Sequence, residues 1–303
     1  MLKKAAHPEI IVAMSAAIWG LFWIPLRVFE QHGLAPAWVI LSQFIAPLAF
    51  MAPFALLRLR RQQLTGIEQY GTGLLVGGGV VMYCESLLLT DVVRALILFY
   101  AMPAWGTLVE VGLMGRRFTL GRGLALVLSL AGLFTILGLA GSFSFAMNTG
   151  DLLALLSGVV FTGGAMRVRQ SPETSVFEQV FAFFFFGSLV ALGFSLLPLA
   201  VLGQPPTLAQ VVSLSPWIIL MAVGILIPAM WGLYLGSRYV DPGRLGILLQ
   251  IEAVVGVSSA ALFAGEPFGS REAVGALLVI SAGLIEVVAN KGNVTVESEA
   301  SVY

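Results

Sequence analysis

The sequence predicts an all-α integral membrane protein: ten transmembrane helices arranged as two inverted five-helix repeats around a central cavity, with both termini in the cytoplasm. Three observations predict it. Hydrophobic residues make up 58% of the chain and charged residues only 11%, with a mean hydropathy of +0.96, which leaves too little polar surface for a soluble domain of this length. A segment recurs about 150 residues on, where Leu89-Thr90-Asp91-Val92-Val93-Arg94-Ala95-Leu96 returns as Tyr239-Val240-Asp241-Pro242-Gly243-Arg244-Leu245-Gly246. The 16 Lys and Arg residues also segregate strongly between alternate loops.

A hydrocarbon core about 30 Å thick takes roughly 20 apolar residues per helix. Runs of that kind, bounded by Arg, Gly or Pro, lie in order along the chain. The first, 8–28, follows Lys3-Lys4 and carries Trp19, Trp23 and Pro25, with no small-residue cleavage site of a signal peptide after it. The second, 36–57, stops at Arg58-Leu59-Arg60-Arg61; the third, 70–90, contains Gly77-Gly78-Gly79. The fourth, 93–114, has Pro103 at its middle and ends before Gly115-Arg116-Arg117, and the fifth covers 122–140. The sixth, 150–168, opens on Gly150-Asp151, and the seventh, 177–199, holds Phe181, Phe183, Phe184, Phe185 and Phe186, which cover too many faces to be a pocket and read as lipid contact. The eighth, 216–236, carries Pro228; the ninth, 243–264, carries Glu252; the tenth, 271–290, carries Glu286. Residues 1–140 thus form one repeat, 150–290 the second, and 291–303 a polar cytoplasmic tail.

Cytoplasmic loops carry the Lys and Arg excess of a membrane protein. With ten spans, 13 basic residues fall on one side and only Arg27, Arg94 and Arg271 on the other, so the termini belong to the cytoplasm. Five spans per half is an odd number, so the second half enters the membrane from the opposite face and the repeat is inverted. The chain is expected in a bacterial-type inner membrane.

Several functions are disfavoured by what is missing. The lone Cys84 lies in an apolar run and forms neither a disulfide framework nor a thiolate metal site. A pI of 6.7 and zero net charge argue against a nucleic-acid partner. His7 and His32 lie near opposite surfaces, and Gly77-Gly78-Gly79 lacks the lysine of a phosphate loop, so no catalytic residue, metal or cofactor is expected. No lysine occurs between Lys4 and Lys291, which disfavours phosphorylated substrates.

The candidate site lies where helices break near the midplane, because lipid cannot satisfy freed backbone groups whereas a polar cavity can. Gly77, Gly78, Gly79, Pro103 and Pro228 are the candidate hinges, with packing kinks as the plainer reading; the two prolines would free the carbonyls of Phe99 and Gly224. Glu252, ten residues into its span, is the leading substrate-binding candidate, since an ionised carboxylate there needs a partner or water. Trp19, Tyr83, Tyr100, Trp231, Tyr234 and Gln250 complete the candidate pocket. Glu85 and Glu110, nearer helix ends, would reach interfacial water or local Arg partners. Asp91 with Arg94, and Asp241 with Arg244, read as capping and gating pairs at helix ends.

The set formed by Ile18-Trp19-Gly20-Leu21-Phe22, Gly150-Asp151-Leu152-Leu153-Ala154-Leu155, the Pro103 to Gly115 spacing and Gly265-Glu266-Pro267 before Gly275 and Ala282-Gly283 resembles the EamA-type ten-helix exporters of the drug/metabolite transporter superfamily. Within it the chain looks most like the YddG type, exporters of aromatic and other neutral amino acids. Arg116 stands where a glutamate is usual, and Ala253 replaces the proline of a Glu-Pro pair. The resemblance implies alternating access, an amino acid or related metabolite as substrate, the bilayer as surroundings and a chain able to act as a monomer. Export of lipophilic or quaternary ammonium cations is the alternative, through Glu252 and aromatic rings; an integral-membrane enzyme or receptor is a remote one.

Overall fold

Apolar runs punctuated by Gly, Pro and Arg fold as helices throughout the computed structural model, which describes residues 7–60, 68–112, 119–137, 147–168, 174–240, 242–265 and 268–300. The first half holds α1 (Pro8–Gly20), α2 (Trp23–Gln31), α3 (Pro36–Arg60), α4 (Glu68–Leu89), α5 (Val92–Phe99), α6 (Met102–Gly112) and α7 (Leu120–Leu137). The second holds α8 (Thr149–Val168), α9 (Val176–Leu196), α10 (Leu208–Met221), α11 (Ile227–Ser237), α12 (Pro242–Phe263) and α13 (Ser270–Ala300). The last helix therefore continues through residues 291–300, which the sequence reads as tail.

Local chemistry accounts for the breaks. Pro25 has no N–H to give the carbonyl of Leu21, which instead accepts from Ile24 at 3.1 Å, and the chain turns at Leu21-Phe22 between α1 and α2. Five residues of π-helix, Ala222–Leu226, join α10 to α11 just before Pro228, absorbing the hydrogen bond that proline cannot make. A capping box starts α9: Ser175 Oγ accepts from the Glu178 N–H at 3.3 Å, and Glu178 Oε2 accepts from the Ser175 N–H at 3.0 Å.

Among the described residues, six stretches are long and apolar enough to cross a membrane: Pro8–Gln31, Pro36–Arg58, Gly71–Leu89, Thr149–Arg167, Val176–Leu196 and Leu208–Ser237. Helix also covers most of the other four runs. Among the described residues these include the shorter apolar stretches Val92–Gly106, Gly123–Thr135 and Leu248–Phe263.

The duplication in the sequence reappears in the packing. Helix α4 packs on α8, and its counterpart α11 packs on α1; α5 packs on α8, and its counterpart α12 packs on α1. The pairs α3 with α9 and α7 with α13 each map onto themselves when the halves are exchanged. Small residues allow these close approaches, as is usual where helices associate in lipid. A Cβ on Gly77 would lie 2.7 Å from the Phe183 carbonyl, and one on Gly20 would lie 2.6 Å from the Glu252 carbonyl.

The seventh run departs from expectation. Phe183 and Phe184 are 1% exposed rather than turned to lipid, because α9 is covered by α3 on one side and α4 on another. The Phe44 ring of α3 lies 5.4 Å from Phe183 and 6.1 Å from Phe184, and Trp19 meets Phe183 edge-on at 6.3 Å. Phe181, Phe185 and Phe186 are half-buried.

Helix α4 runs unbroken through Gly77-Gly78-Gly79, so no break exists there. Gly77 touches α9 and Gly79 touches α8, whereas Gly78 has only ordinary contact with Val190, at 3.4 Å from a Cβ. Gly77→Ala is therefore expected to cost roughly 1–3 kcal/mol through overpacking against backbone. Gly78→Ala is expected to be neutral or to gain some tenths of a kcal/mol, since alanine favours helix by up to about 1 kcal/mol over glycine. Apparent melting midpoints of the two variants in detergent check this, and equal midpoints would refute the packing role of Gly77.

Candidate functional site

Two polar places are built into this apolar bundle. The first lies where α4, α5 and α12 approach one another. Tyr100 ends α5 at the point where the helix is interrupted, and its hydroxyl lies within electrostatic reach of the Glu252 carboxyl on α12. Tyr83 and Cys84 of α4 are within electrostatic reach of the same carboxyl. The Tyr83 ring stacks on Phe99 with centroids 4.2 Å apart, and Phe99 meets Tyr100 edge-on at 5.2 Å. Tyr83 and Tyr100 are buried, whereas Glu252 is half-buried. The arrangement is a carboxyl near one hydroxyl and a wall of aromatic rings.

The interruption at Tyr100-Ala101 coincides with Pro103, but the carbonyls around it are not open. A Cβ on Gly158 of α8 would lie 2.8 Å from the Phe99 oxygen, and the Ala101 oxygen accepts from Ser129 Oγ at 3.2 Å. The matching carbonyl of Gly224 sits with Pro228 on an exposed face of the α10–α11 segment.

The other candidate pocket residues are distributed elsewhere. Gln250 packs its amide against Gly283 of α13, and its Oε1 has no hydrogen-bond partner among the described residues. Two residues along a helix turn through about 200°, so Gln250 and Glu252 face nearly opposite ways. Trp19 packs on Phe22 at 5.0 Å, and its buried indole nitrogen likewise has no described partner. Trp231 lies edge-on to Phe177 at 6.5 Å, on the side where α11 meets α9. Tyr234 is half-buried on the same helix.

The second place is at the end of the bundle where α2 and α4 finish and α5 and α8 begin. Here Arg94 does not pair with Asp91. Its Nε donates to Asp151 Oδ1 at 2.6 Å, and Asp151 is completely buried. Asp151 also accepts from Thr90 Oγ1 at 2.9 Å and from the Asn148 N–H at 3.0 Å. Asp91 occupies the N-cap position of α5, yet its side chain makes no capping bond. Arg27 donates from Nη2 to the Thr90 carbonyl at 2.9 Å and lies 3.6 Å from Glu30. Of these, Arg27, Thr90, Asp91, Arg94 and Asn148 border a cavity of about 570 Å³. Asp241 and the side chain of Arg244 lie outside the described residues, as do the side chains of Glu110 and Glu286.

Sequence reasoning missed three residues here. Asp151 lay inside the Gly150-Asp151 motif, and Arg27 was one of three basic residues on the Arg-poor side, so each carried a signal. Trp23, whose Nε1 donates to Ser259 Oγ at 3.0 Å, carried none. Glu85, expected to reach water or an Arg, is wholly buried, and neither carboxyl oxygen has a partner among the described residues. It lies four residues before the end of α4, but the bundle encloses it completely.

Apolar helices, a duplicated packing pattern and isolated polar groups within it define an integral membrane protein of two repeats rather than a soluble enzyme fold. The chain belongs to the EamA-like transporter family, whose model matches residues 8–138 and 148–286, one match for each half. The family's members are membrane transporters of small molecules, within the drug/metabolite transporter superfamily, and not enzymes. Among solved structures 24 chains match. One of them, a crystal structure that covers 94% of this chain and 99% of its own, has a TM-score of 0.57 at 15% identity, a likeness of fold alone. No curated protein matches the chain.

Proposed function

We propose that the protein exports small amphipathic metabolites, aromatic and other neutral amino acids foremost, by alternating access across a cytoplasmic membrane, with ten spans and both termini in the cytoplasm. The observation that carries this reading is the Glu252–Tyr100 pair beside Tyr83 and Phe99. A carboxyl attracts a substrate ammonium, the tyrosine hydroxyl offers one more polar contact, and the rings accept an apolar side chain. A group transferred into lipid-like surroundings loses water, so few contacts suffice provided the charge is matched. The distribution of 13 basic residues against three supports the orientation. The helix interruption next to Tyr100 supplies a joint at which α5 and α6 can move relative to each other.

A second reading, export of lipophilic cations, draws on the same carboxyl and aromatic rings. Purified protein in liposomes distinguishes the two. Flux of tryptophan and threonine, with glutamate and a quaternary ammonium compound excluded, is the expected result, with and without a pH gradient. Transport of the cation alone would replace the amino acid reading.

A further inference from the structure

We propose that Glu85 is a proton-binding site, filled from the cavity at the end of α4 and coupled by charge to the Glu252 carboxyl. Its part in driving export rests on the proposed function; the bound proton itself rests on the surroundings of Glu85. That residue is 0% exposed, and neither carboxyl oxygen has a hydrogen-bond partner among the described residues. An ionised carboxylate so placed loses its water and gains no donor in return, so the site calls for a proton. The charged groups on the helices around α4 do not supply a substitute. Asp151 of α8 bonds to Arg94 of α5, and Arg27 and Glu30 of α2 lie 3.6 Å apart. Glu178 of α9 and Arg58 of α3 lie toward the other end of α4, where Arg58 sits 4.1 Å over the Phe177 ring. None of them gives Glu85 a hydrogen bond.

Access to the site is one-sided. Leu88, Leu89 and Thr90 of α4 line the cavity of about 570 Å³, whose wall also holds exposed Asp91. Leu88 is three residues past Glu85, a rise of about 4.5 Å along the helix. A proton arriving from solvent in the cavity therefore has about one turn to cross, on the side that the proposed orientation places outside the cytoplasm. On the inner side, Cys84 lies within electrostatic reach of both Glu85 and Glu252, so the two carboxyls share one neighbourhood. A proton on Glu85 and a substrate ammonium at Glu252 bring like charges together, and each weakens the binding of the other by the same factor. Hydronium in the cavity protonates the Glu85 carboxylate and leaves water; the ammonium arriving at Glu252 favours return of that proton to water on the cytoplasmic side. One proton then enters for each substrate that leaves.

Infrared spectra of the full chain in lipid nanodiscs test the bound proton. At neutral pH the wild type is expected to show the C=O stretch of a protonated carboxyl, with a component that Glu85→Gln removes and Glu252→Gln leaves in place. A spectrum unchanged by Glu85→Gln would overturn the site. Should the amide variant fail to fold, Glu85→Met puts an apolar side chain of similar length there and is read the same way. Liposomes with the membrane potential clamped test the coupling. A tenfold proton gradient should sustain roughly a tenfold tryptophan ratio across wild-type membranes, falling to about one in Glu85→Gln. Tryptophan exchange between equal pools, which needs no net proton movement, separates uncoupling from loss of transport. A wild-type gradient response in Glu85→Gln, or loss of exchange along with the gradient response, would overturn the coupling. Absence of tryptophan flux in the wild type, with the infrared component assigned to Glu85, would instead overturn the export reading and leave the proton site standing.

Discussion

Glu252→Gln is expected to lower tryptophan flux by roughly tenfold to a hundredfold while leaving the amount of folded protein in the membrane unchanged. A charged partner makes a hydrogen bond worth about 1.5–3 kcal/mol, and a neutral amide of the same shape retains only a fraction of it. The amide keeps the shape of the carboxyl, and the aromatic wall formed by Tyr83, Phe99 and Tyr100 is held by its own ring contacts. Tyr100→Phe separates the two parts of the effect. It removes the hydroxyl but keeps the ring against Phe99, and a loss of several-fold rather than a hundredfold is expected. Initial rates of tryptophan entry into liposomes, together with the elution profile of each variant, are the measurement. Wild-type flux in Glu252→Gln would remove the carboxyl from the site.

Much of this arrangement was legible in the sequence, for physical reasons that also set its limits. An acidic residue in a long apolar run has few acceptable surroundings, and Glu252 could be singled out on that basis alone. Its partner Tyr100 could be shortlisted because a helix break at Pro103 places polar backbone beside it. Gln250 was shortlisted for proximity in sequence, yet a helix sends residues two apart to different neighbours, and Gly283 leaves the space that its amide fills. Phe183 and Phe184 show the same limit in reverse. Whether a phenylalanine faces lipid or protein depends on which helices lie beside it, and α3 and α4 come to α9 from far along the chain. The hydrophobic run carries no mark of that choice, because lipid tails and helix faces are equally apolar.

The partner of Arg94 was hidden for a similar reason, and its removal is the second large effect expected. Local spacing offered Asp91, three residues away, but that residue is at the N-cap with its side chain outside the helix, whereas Asp151 starts the second half 57 positions on. Removing one member of a buried ion pair typically costs about 3–5 kcal/mol, because the remaining charge stays buried without its counterpart. Asp151 retains Thr90 Oγ1 and the Asn148 N–H as donors, so Arg94→Met is expected at the lower end, near 3 kcal/mol. The apparent melting midpoint in detergent should then fall by on the order of 10 °C. Pairing Arg94→Met with Asp151→Asn removes the stranded charge, and the double variant should recover a large part of that loss. Strict additivity of the two single effects would mean that the pair is not coupled. Recovery would identify the Arg94–Asp151 bond as an electrostatic clasp between the two halves, at the end where α4 hands the chain to α5 and α8 begins the second repeat.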